Sequence, residues 1–337
     1  NPAASMRMSL AEALTNMAGV IIKGLNYVQV SANWMAASGD NREDLALRKG
    51  VEALSKISVD LKVSIPVGKD SLSMKTKWSE GNNELEVTSP LSGVVTAMAP
   101  VEDISIAVTP ELCLDKDSSI ILVKLNNENR LSGSIFSEVT QSVFFETPDV
   151  DDVSKFQNMF SMVQQLIKNR KILALHDISD GGVITTLAEM CFTKKIGMDV
   201  DVSIFEKVNK SLFSEEIGFV LQASSTYCDE IISSFSKNNI FASKIASLAD
   251  EDLTILKDGE ILFSKSINSL EKYWRETSHA IQSIRDNKEI ADSELNLLDK
   301  KEFTGLSSNI SFDESQMQQI NILTSSPKVA ILREQGV

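Results

Sequence analysis

The chain has 337 residues, 42% apolar and 24% charged, with a net charge of −14 and a pI near 4.7. That profile is expected of a globular protein with two ordinary domains and a connecting piece. The acidic balance excludes nucleic acid or an anionic membrane as the main partner, but a nucleotide held through a metal or backbone dipoles remains compatible with it.

Cys113, Cys191 and Cys228 stand at unrelated spacings that imply neither a zinc site nor a disulfide framework, so buried thiols in a reducing cytosol are expected. No apolar run reaches transmembrane length and no signal-peptide pattern occurs, so the expected location is cytoplasmic with no membrane partner.

In residues 9–20, Leu10, Ala11, Leu14, Met17 and Ala18 fall at helical spacing and predict a helix. Glu12 and Asn16, four apart, share one of its faces, either as a solvated polar surface or as two oxygen donors aimed at a cation. Residues 26–36 alternate and predict a strand, with Trp34 in the core. Residues 40–60 predict a helix capped by Asp40 or Asn41, with Glu43 and Asp44 in its first turn. Residues 63–78 read as a strand, a turn at Gly68-Lys69-Asp70-Ser71 and a second extended piece. This is not a Walker loop, because the upstream glycine is missing and no helix follows. Lys69 and Ser71 still suit a phosphate; a hairpin turn with a solvated lysine is the alternative. Residues 85–108 read as a strand, a turn and a long β segment, so the first third is a sheet with two helices.

A boundary is expected near Thr109-Pro110. Beyond it come a buried strand at 118–125, a helix at 133–141, and an amphipathic helix at 153–169 with Phe156, Met159, Phe160, Val163 and Leu166 on one face. Residues 173–190, LALHDISDGGVITTLAEM, read as strand, glycine turn and helix. Such a turn presents backbone N–H groups at a helix N-terminus. Asp177, Ser179 and Asp180 would meet a phosphate only through a divalent cation, so a metal–nucleotide site is expected here. His176 is either a phosphate contact or a structural donor. Strands and helices alternate through 198–236, and 240–248 and 253–263 read as edge strands, making 118–265 one α+β domain. Glu215 and Glu216 either line the site or end a helix. Residues 266–286 predict a helix in which His279 is ordinary surface. Residues 287–325 look like an extended connector, and 327–332 like the first parallel strand of a further domain.

Six stretches in order, SLAEALTNMAG, VSANWMAASG, IPVGKDSLSMKTKW, LALHDISDGGVITTLAEM, LFSEEIGFVLQ and PKVAILREQGV, resemble the phosphoribosylformylglycinamidine synthase family in its large single-chain bacterial form. The resemblance implies an α+β fold like aminoimidazole ribonucleotide synthetase. It assigns 1–112 to a truncated N-terminal sheet-and-helix subdomain and 113–265 to an α/β C-terminal subdomain. Residues 266–326 become a connector and 327–337 the first strand of a glutaminase domain. The implied activity is a glutamine- and ATP-dependent amidation of formylglycinamide ribonucleotide in purine biosynthesis, a carbon–nitrogen ligase reaction. This chain would be the second synthetase half, inactive alone, with the first half and the glutaminase domain as partners in one polypeptide. It would hold an auxiliary nucleotide, ATP or ADP, with Mg2+. The family's metal ligands map onto Glu12, Asn16 and Asp177, and a further aspartate ligand falls upstream of Asn1. Ser179, Lys69 and His176 are the expected nucleotide contacts, and no catalytic residue is assigned. The alternatives are a free-standing phosphotransferase like selenophosphate synthetase, or a structural nucleotide-binding module.

Overall fold

The structure, a computed structural model, describes residues 1–115, 117–300 and 309–313. The strand expected at 327–332 lies outside these residues. In chain order the N-terminal part contains α1 (Pro2–Thr15), β1 (Ile21–Ile22), β2 (Gln29–Met35), α2 (Asn41–Leu61), β3 (Ser64–Ser71), β4 (Lys75–Glu80), β5 (Asn83–Thr88), β6 (Ser92–Met98) and β7 (Val101–Asp103). The C-terminal part contains β8 (Ser118–Lys124), α3 (Ile135–Val139), α4 (Val153–Lys168), β9 (Ala174–Asp177), α5 (Gly182–Phe192), β10 (Gly197–Asp201), α6 (Val208–Phe213) and β11 (Gly218–Ser224). It continues with α7 (Ser225–Ser236), β12 (Phe241–Ala249), β13 (Asp252–Lys257), β14 (Glu260–Ser266), α8 (Ile267–Arg285) and α9 (Lys288–Asn296).

Helix α1 begins well before the expected residue 9, because the Asn1 side chain accepts from Ala4 N and Pro2 occupies the first turn. Its buried face of Met6, Leu10, Ala11 and Leu14 joins the core. Helix α2 is capped by Asp40, which accepts from Arg42 N and Glu43 N. In the three-stranded sheet β3-β2-β6, β2 is central, parallel to β3 and antiparallel to β6. Here the expected turn at Gly68–Ser71 is corrected. These residues are strand, paired along β2 from Ala32 to Met35, and Ser73 beyond them still bridges to Ala37. A Cβ on Gly68 would meet the Ala32 carbonyl oxygen at 2.1 Å, so this glycine permits close strand approach rather than a reversal. Strands β4 and β5 form a separate hairpin.

The C-terminal sheet has seven strands in the order β14-β13-β10-β12-β8-β11-β9, and only β10 and β13 run parallel. Every residue of β8 is buried, and its side chains alternate between two cores. Ile121 and Val123 face one core with α1 and α4; Ile120 and Leu122 face the other with Val183 and Leu187 of α5. The first core is continuous from Leu10 and Trp34 to Phe156 and Phe219, so it runs across both parts of the chain. Two edge expectations are corrected. Strand β12 is interior, bonded to both β8 and β10, and residues 253–263 make a hairpin in which only β14 is an edge. The other edge is β9, four residues long; a short strand is one way an edge avoids pairing with other chains.

The expected extended connector is helical at its start. Asn287 caps α9 by accepting from Ile290 N, and His279 Nε2 lies 3.0 Å from Asp292 Oδ1, joining α8 to α9. Helix α9 buries only Ala291, so its sequence carries no apolar stripe to read. His279 is thus an inter-helix contact rather than plain surface.

Cys191 and Cys228 are buried as expected, whereas Cys113 is exposed. Burial pushes the Cys191 thiol up to about 12. Ellman's reagent is therefore expected to react fast with one thiol in the native protein, and with the other two only after unfolding in guanidinium. Three fast thiols would contradict this packing.

Candidate functional site

Strand β9 delivers His176 and Asp177 to the sheet edge, where Ile178 N donates to Gly218 O at 3.0 Å and ends the pairing. The turn closes with Gly182 N donating to Ser179 O at 3.0 Å. Gly181 and Gly182 have φ of +82° and +73°, a left-handed pair that L residues rarely adopt. Helix α5 starts there with no side-chain cap, and Glu215 Oε1 accepts from Gly181 N at 2.9 Å.

The C-terminal end of α1 meets this turn. Thr15 Oγ1 lies 3.4 Å from Asp177 Oδ2 and 3.0 Å from Glu12 O, and Asp177 is buried. A cavity of about 160 Å³ beside the turn is lined by Glu12, Ser132, Thr147, Ser179, Asp180 and Glu215, among others. Burial raises the Glu12 carboxyl above its usual range, and the charges of Asp180, Asp177 and Glu215 raise it further. Burial also raises Glu215, only partly offset by N–H donors from Gly181 and Ile135. These carboxylates repel one another, and no lysine or arginine is among the cavity's lining residues.

His176 is held differently. Burial alone would lower its pKa, but hydrogen bonds to Asp177 and Glu189 and their charges outweigh burial and hold it at about 9. Nδ1 lies 3.3 Å from Asp177 Oδ1 and Nε2 lies 3.0 Å from Glu189 Oε2. Glu189 Oε1 in turn accepts from Trp274 Nε1 at 2.8 Å. At neutral pH the imidazolium is a bridge between two carboxylates, with both nitrogens engaged.

The structure thus brings Glu12, Asp177 and Ser179 to one place, with His176 behind Asp177. Asn16 ends α1 as its C-cap, exposed, one turn beyond Glu12. Lys69 lies on the three-stranded sheet, exposed, with Ser71 Oγ 3.5 Å from its amine, and it is not among the cavity's lining residues. The loop residues Ser132 and Thr147 escaped the sequence reading because irregular backbone carries no periodic signal. Their position is fixed by Arg130, which reaches Glu216 at 2.8 Å, Asp151 at 2.9 Å and Asp149 O at 3.2 Å; Asp149 also holds Arg7 of α1.

The donors here are carboxylate, hydroxyl and carboxamide oxygens, the hard ligands that suit Mg2+. Among the described residues no group of three or more His, Cys, Asp or Glu forms a metal cage. Glu12 and Asp177 together would supply only a partial shell. Such a shell fits Mg2+ shared with phosphate, because that ion commonly takes one or two carboxylates and completes its octahedron with phosphate and water.

Comparison with known proteins defines the class. Residues 1–100 match the FGAR-AT PurM_N-like domain model, and residues 116–258 match the C-terminal domain of AIR synthase related protein. The chain therefore has the AIR synthase-like fold, with both its N-terminal and its C-terminal domain. Thermotoga maritima PurL complexed with ATP is similar at a TM-score of 0.58 and 13% identity, over 80% of this chain and 41% of that one. T. maritima phosphoribosylformylglycinamidine synthase II aligns at a TM-score of 0.53 and 12% identity, over 80% and 42%. The hydrogenase maturation protein HypE aligns at 0.53 and 12%, over 77% and 82%. This chain spans about two fifths of the length of the PurL chains it resembles. Among the described residues no helix is long and apolar enough to cross a membrane.

Proposed function

We propose that this chain is a synthetase half of a large phosphoribosylformylglycinamidine synthase and that the turn after β9 anchors a Mg2+-bound adenine nucleotide. The observation that carries this reading is the approach of Glu12 to Asp177, 165 residues apart in sequence: Glu12 lines a cavity with Asp180 and Glu215 and no lysine or arginine, and buried Asp177 lies close enough for its charge to raise the Glu12 carboxyl. Bound Mg2+ would neutralise that cluster and the phosphate charge together. Glu12 and Asp177 would hold it, with Asn16 available from the same helix face as Glu12. Ser179 and the N–H groups opening α5 would meet phosphate oxygens at the positive end of the helix. His176 keeps Asp177 in place. Lys69 contributes only if it reaches a nucleotide that extends beyond the cavity.

T. maritima PurL has been solved with ATP, ADP and FGAR, which supports the assignment to purine biosynthesis. In this reading residues 1–112 and 113–265 are the two synthetase subdomains, and the ammonia source and the rest of the active site lie in other parts of one cytoplasmic polypeptide. The sheets of the N-terminal part leave Val67, Trp78, Val87, Val94 and Met98 exposed, an apolar surface that supports packing against those parts. The chain alone then binds nucleotide without turnover. A second reading, a nucleotide-binding protein of HypE size, is favoured by the 82% coverage of HypE; the FGAR-AT type of the N-terminal model favours the first.

MgADP at millimolar concentration is expected to raise the melting temperature through linkage of binding to folding. Asp177→Asn, which removes a ligand charge but keeps its shape, is expected to reduce that rise by more than half. An equal rise in both proteins would remove Asp177 from the site.

A further inference from the structure

Behind the site turn, on the other side of α5, lies a second concavity of about 490 Å³. Its walls are α5, α6, the β13–β14 hairpin and α8, with Leu253 and Ile255 at its floor. Phe192, Phe213, Phe263 and Trp274 line it with four aromatic rings. Three of these are fixed by ring contacts. Phe192 meets Trp274 edge-on at 5.9 Å, and Phe213 stacks on Phe136 at 4.9 Å. Trp274 is fixed further by its hydrogen bond to Glu189. None of the lining residues is charged, in a chain where 24% of residues are. Thr185 and Asn209 supply the polar side chains.

These features select the occupant. The volume lies within the range of small-molecule sites, roughly 300–1,000 Å³. An ionic ligand would lose its water with no opposite charge to receive it. Aromatic walls favour a planar ring, stacked or edge-on. We propose that this concavity is a binding site for a neutral, planar aromatic small molecule, separate from the nucleotide site. Leu262, Phe263 and Trp274, at 54%, 37% and 54% exposure, form its open rim, through which the ligand enters.

N-phenyl-1-naphthylamine, a neutral aromatic fluorophore, tests this directly on the full chain. The expected result is saturable one-to-one binding with blue-shifted emission. Ala188→Phe, which fills the concavity from α5, should weaken it at least tenfold. Phe263→Ser, on the exposed edge strand where folding is least at risk, should weaken it severalfold. Val94→Ser with Met98→Ser, on the exposed N-terminal sheet, should leave it unchanged. Unsaturable binding overturns the proposal, as does binding insensitive to both Ala188→Phe and Phe263→Ser or abolished by the sheet pair. So does a dimer that Ala188→Phe dissociates while the unaltered chain ignores the fluorophore, because the concavity would then be a contact between copies.

Discussion

Gly182→Ala is expected to destabilise the protein by about 2–5 kcal/mol, with about 1–2 from the left-handed backbone and about 1–3 from overpacking. The added Cβ would sit 2.8 Å from Leu212 O, Phe213 C and Ser214 O, all backbone atoms that no side-chain rotation can move. Relief requires α5 to separate from the end of α6. That separation pulls Gly181 N away from Glu215 and opens the carboxylate cluster. The variant should therefore lose both its melting temperature and its response to MgADP. Gly259→Ala is the control: φ there is +85°, but nothing lies within 4 Å of the added Cβ, so only the backbone cost of about 1–2 kcal/mol applies. Equal losses at Gly182 and Gly259, read by thermal melting, would show that the α5–α6 contact does not hold the turn.

Glu216→Ala is expected to cost about 3–5 kcal/mol, the usual penalty for leaving a buried charge without its partner. Glu216 is 1% exposed and accepts from Arg130 at its main-chain N, Nε and second guanidinium nitrogen, at 3.0, 2.8 and 2.8 Å. Those bonds raise the Arg130 guanidinium further above its usual range. Arg130 also ties down Asp149 and Asp151, so its release frees the loop that lines the cavity. Adding Arg130→Met removes the charge that Glu216 no longer balances and that Asp151, half-exposed, offsets only in part, and the double variant should regain part of the loss. A double variant whose loss is the sum of the two single losses would exclude this coupling.

Much of the fold was legible because its elements repeat a period. The amphipathic face of α4, the apolar run of β8 and the glycine turn before α5 each announced themselves within a few residues. What escaped was decided by distant partners. Gly68 reads as a turn until Ala32 is seen to approach it, and β12 reads as an edge until β8 and β10 flank it. Helix α9 was missed because a solvated helix shows no apolar stripe, and its Asn287 cap is a single-residue signal. At the proposed site, Asp177 and Ser179 drew notice because of the turn they sit on, which the structure places before α5. Glu12 came to them only through family resemblance, because nothing local on α1 points to a strand end 165 residues away. Glu215 stood in the sequence as either a site residue or a helix end; its bonds to Gly181 and Ile135, together with its place in the cavity lining, make it part of the site wall.

The central claim is that Glu12 and Asp177 jointly hold a metal-bound nucleotide. Calorimetric titration of ADP into the full chain tests it most directly, with Mg2+ present and then with the ion chelated. One-site binding that requires Mg2+ and falls at least tenfold in Glu12→Gln is the predicted result. Binding that survives chelation, or is unchanged in Glu12→Gln, would contradict the claim, as would no heat at millimolar MgADP.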